Sequence, residues 1–257
     1  MVNVAILGFG TVGSGVAEVL TGHEDSIERK AGGLIRLKYI LDVRDFPDSP
    51  FADRFVKDFS VIENDPEVDI VVETIGGAAI ALDFTRRALE AGKSVVTSNK
   101  ELVATCGYEL TQLAGERGVC YLFEASVGGG IPIIRPLSQC LAANEILEIY
   151  GILNGTTNYI LTRMIRAGLT FGAALREAQE KGYAERDPSA DVEGHDACRK
   201  ICILADIAFG RHISPEQVPT QGITGVTLAD VDYAESAGKK IKLLGRAIRG
   251  EDGRVCA

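Results

Sequence analysis

The chain opens on an almost unbroken apolar run, Asn3-Val-Ala-Ile-Leu7, the pattern of a strand buried on both faces. After a glycine-punctuated turn the apolar positions fall at helical spacing from about Thr11 to Leu20. IRLKYILD (Ile35–Asp42) predicts a second strand and VDIVVETIG (Val68–Gly76) a third. AIALDFTRRALEAG reads as a helix that stops at Gly92. SVVTSN then predicts a strand, KELVATCGYELTQLAGERG a helix, and VCYLFEASV another strand. This alternation predicts a parallel sheet wrapped by helices.

From Gly128 the texture changes. GGGIPIIRP is a Gly/Pro-rich hinge, and NEILEIYGILNGT beyond it predicts a strand with a turn. TNYILTRMIRAG, FGAALREAQEKG and DACRKICILADIAFG read as helices. A further helix is followed by a strand, KIKLLGRAI, and by RGEDGRV, a hairpin turn whose return strand is beginning where the sequence stops. The expected fold is α/β: a Rossmann-type parallel sheet over 1–130 and an α+β substrate and dimerisation domain over 131–257, the latter cut short.

Charge removes some functions. Lys and Arg number 27 against 36 Asp and Glu, a formal −9, with no basic run or stripe, so nucleic acid is not the expected partner. No apolar run reaches the roughly 20 residues of a membrane span. The N-terminus goes straight into a strand, with no basic region or small-residue cleavage site. Six scattered cysteines lack CxxC spacing and read as reduced thiols, which makes the cytoplasm the expected location.

Three strand ends carry candidate chemistry. In GFGTVG, Gly8, Gly10 and Gly13 have the G-x-G-x-x-G spacing, directly after a strand and opening a helix. There the first glycine makes the turn, the second admits a pyrophosphate and the third lets helix and strand close up. Gly8, Phe9, Gly10, Thr11, Val12 and Gly13 are therefore expected to bind a dinucleotide cofactor. The second strand ends in LDVRDF, where Asp42 suits the ribose hydroxyl of NAD and Arg44 the 2′-phosphate of NADP. The spacing leaves both open, and Arg44 favours NADP. TSNKE sets Ser98 and Lys100 at the next strand end, Lys100 at a helix N-terminus that disfavours cations. EASVGGGIP places Glu124 beside loose carbonyls, a pattern that suits a hard cation and equally a plain hinge.

The stretch GYAERDPSADVEGHDACRK runs charges into a largely apolar helix. With the helix started at Asp191 as cap, Val192, Asp196, Lys200, Ile203 and Ile207 share a stripe that adjoins Ala197, Ile201, Leu204, Ala205 and Ala208. His195, Arg199, Cys202 and Asp206 fall on the opposite side, expected to face solvent. Asp196 and Lys200 have the spacing of an ordinary surface ion pair, but this phase turns them inward. Glu185 in the preceding loop suits a substrate ammonium; Asp187 and Asp191 suit turns and caps around Pro188.

Taken in order, GFGTVG, TSNKE, EASVGGGIPII, GILNGTTNYIL, GYAERDPSADVEGHDACRK and ILADIAFG resemble the homoserine dehydrogenase family over the whole chain. The resemblance implies NAD(P)-dependent interconversion of L-homoserine and L-aspartate 4-semialdehyde, on the way to threonine, methionine and isoleucine. It implies Lys200 as the acid–base residue, Lys100 as a second lysine at the nicotinamide and substrate, and Asp196 as a carboxylate that positions Lys200. Glu185 then takes the substrate amino group, with Asp191, Asn154, Gly155 and Thr156 also on the substrate side. A sodium site maps to Glu124, Val127, Gly129 and Ile131, and a homodimer or higher homo-oligomer is implied. Family members continue beyond this C-terminus. Two other readings are compatible with the residues: a non-catalytic nucleotide-binding or dimerisation fragment, and a related dehydrogenase of another amino acid.

Overall fold

The computed structural model of the protein describes residues 1–257, which fall into two compact units, Met1–Arg135 and Pro136–Ala257. In the first, strands β1 (Val2–Leu7), β2 (Ile35–Leu41), β3 (Phe55–Val56), β4 (Val68–Glu73), β5 (Ser94–Thr97) and β6 (Tyr121–Leu122) form one parallel sheet in the order β3-β2-β1-β4-β5-β6. The order reverses between β1 and β4, and ligands of such sheets bind beyond the strand C-termini at that point. Leu7, Glu73 and Thr97 stand in register there. Helices α1 (Thr11–Gly22), α2 (Glu24–Ala31), α3 (Phe59–Glu63), α4 (Ala79–Glu90) and α5 (Lys100–Arg117) connect the strands. Val4, Ala5, Ile6 and Leu7 are all buried, as the apolar run of β1 requires.

The sequence pattern misses α2, which has no buried residue and therefore no apolar stripe to betray it. It misses the two-residue β3 and also α3, a helix of 5 residues capped by Asp58 accepting from the Ser60 N–H. The strand expected over Val119–Val127 shrinks to β6, because Glu124–Ser126 turns as a 3₁₀ segment in which the Ser126 hydroxyl donates to the Phe123 carbonyl at 2.6 Å.

The second unit has an antiparallel sheet β7-β8-β9, from β7 (Glu148–Gly151), β8 (Gly245–Arg249) and β9 (Val255–Cys256). Its helices are α6 (Gly155–Ala167), α7 (Phe171–Glu180), α8 (Ser189–Val192), α9 (His195–Phe209) and α10 (Leu228–Ser236). Ile160, Leu161 and Met164 of α6 meet Ala174 and Ala178 of α7 and Val231 of α10 in one core. Ile201, Ala205 and Phe209 of α9 pack on Ala247 of the sheet in another. Gly245 permits that approach: a Cβ there would stand 2.7 Å from Leu153 Cδ1 and 3.1 Å from Ile201 Cβ. No helix is long and apolar enough to cross a membrane.

The helix expected from Asp191 is two helices. The Val192 carbonyl accepts the Ile223 N–H at 2.8 Å instead of continuing α8, and Gly194 at φ +86° turns the chain into α9. The inward phase of Asp196 holds. The outward assignment fails at Cys202, which is fully buried, and partly at Asp206, whose carboxylate accepts from the Ile213 N–H and contacts His212 Nδ1.

Candidate active site

The glycine-rich loop is built as its spacing requires. Gly8 takes φ +92°, and a Cβ on Gly13 would stand 1.9 Å from the Gly8 carbonyl oxygen, so α1 closes on the loop only with glycine there. Thr74, just after β4, donates its hydroxyl to the carbonyls of Leu7 (2.9 Å) and Gly8 (3.0 Å), tying the loop to the neighbouring strand. A Cβ on Gly10 would meet nothing within 4 Å, and no side chain caps α1. An open backbone at an uncapped helix N-terminus fits the phosphates of a dinucleotide.

At the end of β2, the Asp42 carboxylate accepts from the N–H of Phe9 (2.8 Å), the N–H of Arg44 (2.9 Å) and the Arg44 guanidinium (3.0 and 3.1 Å). Arg44 holds this carboxyl down at about 2. Asp42 is therefore a brace for the glycine-rich loop, and the group presented outward is Arg44, whose side chain is 60% exposed. Lys57 went unnoticed in the sequence. Its ammonium donates to the carbonyls of Asp42, Val43 and Arg44 at 2.6–3.2 Å and pairs with Asp45 at 2.8 Å. Lys57 lies just past β3, whose Val56 pairs with Leu41 beside Asp42, a register that the sequence does not announce.

Past β4 and β5 lies a second network the motifs did not announce. Glu73, fully buried, accepts from the Ile75 N–H at 2.7 Å and the Thr97 hydroxyl at 2.5 Å. Asn99 caps α5 through the Leu102 N–H and donates its amide to the carbonyls of Ile75 (3.1 Å) and Gly77 (2.7 Å). Ser98 and Lys100 flank Asn99, both half-buried, Lys100 as the first residue of α5.

Glu124 braces its loop: its oxygens accept from the N–H groups of Ile133 (2.6 Å), Ile134 (2.8 Å) and Arg135 (2.8 Å). Burial pushes its carboxyl up, and the three N–H groups together outweigh this and leave it below its ordinary value. Val127 is buried, while Gly129 and Ile131 are exposed. Glu124 thus holds the segment Ile133–Arg135, with one of its two oxygens taking a single N–H, and no step below uses a metal cation.

In the second unit the charged stretch converges on Asn154. This buried residue caps α6: its Oδ1 accepts from the Thr157 N–H (2.8 Å) and hydroxyl (2.9 Å). That fixes the amide's direction, so Nδ2 donates to Asp191 at 2.7 Å and Asp196 at 2.9 Å. Lys200 donates to Asp196 Oδ2 at 2.9 Å and to the Leu153 carbonyl at 3.1 Å, with the two side chains 17% and 2% exposed. Two of the ammonium's three N–H directions are thus set, leaving one for a substrate oxygen. Gly155 is exposed, and the Thr156 hydroxyl donates to the Tyr183 carbonyl at 2.8 Å. Glu185 is exposed on a loop held by Gln179, which donates to its carbonyl at 3.1 Å. The structure thus brings Asn154, Asp191, Asp196 and Lys200 together and leaves Glu185 on the rim of the loop.

Comparison with known proteins follows the same division. The sequence model described as homoserine dehydrogenase, NAD binding domain, matches residues 8–124, and that described as homoserine dehydrogenase matches 132–256. Homoserine dehydrogenase of Pseudomonas aeruginosa is 46% identical over 253 residues, covering 98% of this chain and 58% of that protein. The chain thus spans little more than half of that curated relative. The crystal structure of a putative homoserine dehydrogenase from Archaeoglobus fulgidus is 36% identical with a TM-score of 0.87, covering 97% of this chain and 81% of that one. A hyperthermophilic archaeal homoserine dehydrogenase in complex with NADPH is 29% identical with a TM-score of 0.81, covering 99% and 80%.

Proposed function

The chain belongs to the homoserine dehydrogenase family, and from that premise we propose that it takes part in the reduction of L-aspartate 4-semialdehyde to L-homoserine. The observation that carries this reading is Lys200: an ammonium held by buried Asp196 and the Leu153 carbonyl, with one donor direction free. The first unit's loop from Gly8 to Gly13, with Arg44 and Ser98 beyond it, would hold a nicotinamide dinucleotide, and a bound reduced nicotinamide supplies the hydride. Lys200 donates a proton to the aldehyde oxygen as charge develops there. Asp196 holds the ammonium in place, and Asn154 holds Asp196. Asp191 and Glu185 are the carboxylates offered to the substrate ammonium, and Lys100 is a second cation for the reacting oxygen or the substrate carboxylate.

Arg44, outward-facing over the Phe46 ring at 5.1 Å, supports NADP over NAD, as does the NADPH complex of the archaeal relative. Self-association through the second unit belongs to the same reading, supported by exposed Leu147, Tyr150, Ile152 and Leu244. The test is NADPH oxidation with L-aspartate 4-semialdehyde. Lys200→Ala is expected to lower kcat by about 10²–10⁴-fold, the range for a positioned acid. Full activity in that variant refutes the assignment, and a preference for a different aldehyde refutes the substrate.

A further inference from the structure

The buried carboxyl of Glu73 stands where the sheet order reverses, at the C-terminus of β4, yet nothing in the proposed chemistry uses it. Its surroundings say what it holds. One oxygen accepts the Ile75 N–H at 2.7 Å and so fixes the loop after β4. The other accepts the Thr97 hydroxyl at 2.5 Å at the end of β5, and the oxygen of that hydroxyl accepts the Asn99 N–H at 2.9 Å. Asn99 returns to the same loop through its amide, to Ile75 and Gly77, and starts α5 through the Leu102 N–H. The ring of contacts closes on itself and contains the residue that directly precedes Lys100.

The position relative to the nucleotide follows from the fold. Arg44 at the end of β2 marks the adenosine half, and the glycine-rich loop after β1 marks the pyrophosphate. The other half of the dinucleotide must then lie past β1, over the ends of β4 and β5. Those are the two ends that Glu73 joins.

We propose that Glu73 is a positioning residue for the nicotinamide half of the cofactor, its carboxyl clamping the loop Ile75–Gly77 to the end of β5 and thereby fixing where Asn99 and Lys100 stand. This rests on reading the first unit as a nucleotide site. Burial pushes the Glu73 carboxyl up, against the pull of the Thr97, Ile75 and Asn99 donors. A glutamine can keep both links by geometry, its carbonyl oxygen accepting the Ile75 N–H and its amide donating to the Thr97 hydroxyl oxygen.

Three variants of the full chain and two ligands test this. Glu73→Leu removes the clamp, Thr97→Val removes only its link to β5 and Asn99, and Glu73→Gln keeps the acceptor for the Ile75 N–H. Binding of NADPH and of adenosine 2′,5′-bisphosphate, which lacks the nicotinamide half, is measured by calorimetry. Hydrogen exchange is followed at the Ile75 and Asn99 amides. Glu73→Leu and Thr97→Val are expected to bind the bisphosphate like the wild type and NADPH roughly tenfold more weakly, about one net hydrogen bond. Both amides should exchange faster in Glu73→Leu, and Glu73→Gln should restore NADPH binding. Should Glu73→Leu not fold, Thr97→Val carries the comparison alone. Equal weakening of both ligands marks general damage and overturns the proposal; so does unchanged NADPH binding, or a Gln variant no better than Leu. A wild type that binds neither ligand overturns the nucleotide reading itself, and this proposal with it.

Discussion

Replacing Asn154 by aspartate changes one atom in the second unit's polar cluster and turns a donor into an acceptor. The cap of α6 survives, because Oδ1 still accepts from Thr157. The new oxygen, however, stands 2.7 Å from Asp191 and 2.9 Å from Asp196. Like charges at that range repel by roughly 6 kcal/mol per pair at an effective dielectric of about 20. Taking up a proton is the cheaper response: from an ordinary aspartate value near 3.9 it costs about 1.4 kcal/mol per pH unit, hence about 4 kcal/mol at pH 7 and about 1.5 kcal/mol at pH 5. The introduced carboxyl therefore has its folded-state value raised. Its penalty is absent below about 3.9 and grows as pH rises, up to the pH at which the proton is lost. Asn154→Ala, by contrast, loses the cap and two hydrogen bonds to carboxylates, roughly 4–7 kcal/mol, with a much flatter pH profile. The measurement is denaturant unfolding of wild type and both variants at pH 5, 6 and 7, followed by circular dichroism. A deficit in Asn154→Asp that is the same at pH 5 and pH 7, or a matching slope in Asn154→Ala, would refute the reasoning.

Two further perturbations act on the first unit. Gly13→Ala puts a methyl 1.9 Å from the Gly8 carbonyl oxygen, so the glycine-rich loop must shift; NADPH affinity should drop by about tenfold or more, read by fluorescence titration, while substitutions at open Gly15 should not do this. Arg44→Ala should weaken NADPH more than NADH, as measured by the ratio of their kcat/KM values. Because Arg44 holds Asp42 at about 2 against an ordinary 3.8, the stability linked to this pair is present above 3.8 and lost as pH falls through about 2. The variant should therefore unfold in acid at a higher pH than the wild type, and an unchanged acid midpoint would count against the pair.

The parallel sheet was legible because its strands are apolar runs and its helices carry apolar stripes. Elements without a stripe, such as α2, or too short to show a period, such as β3, left no trace. Asp196 and Lys200 were legible as an inward pair because their phase matched Ile203 and the apolar face beside it. What phase cannot carry is a backbone event: the start of α9 depends on the Ile223 N–H meeting Val192, a contact between distant segments. Cys202 was misplaced for a related reason. One rotation angle per residue assumes one wet side, but a helix packed on several neighbours has little of one. Glu73 and Lys57 were missed because a single charge at a strand end is unremarkable in sequence. Only the register of β4 with β5, and of β2 with β3, reveals what each of them joins.

Helix α9 carries Asp196 and Lys200 on one side and, on the other, Ile201, Ala205 and Phe209 seated on the β7–β9 sheet. Lys200, the proposed proton donor, is therefore part of the same rod that fills the second unit's core, with no hinge inside the helix to uncouple them. On heating, the backbone of Lys200 keeps its place until α9 leaves the sheet. With saturating NADPH keeping the first unit folded, loss of turnover and loss of the second unit's secondary structure should then trace one curve against temperature.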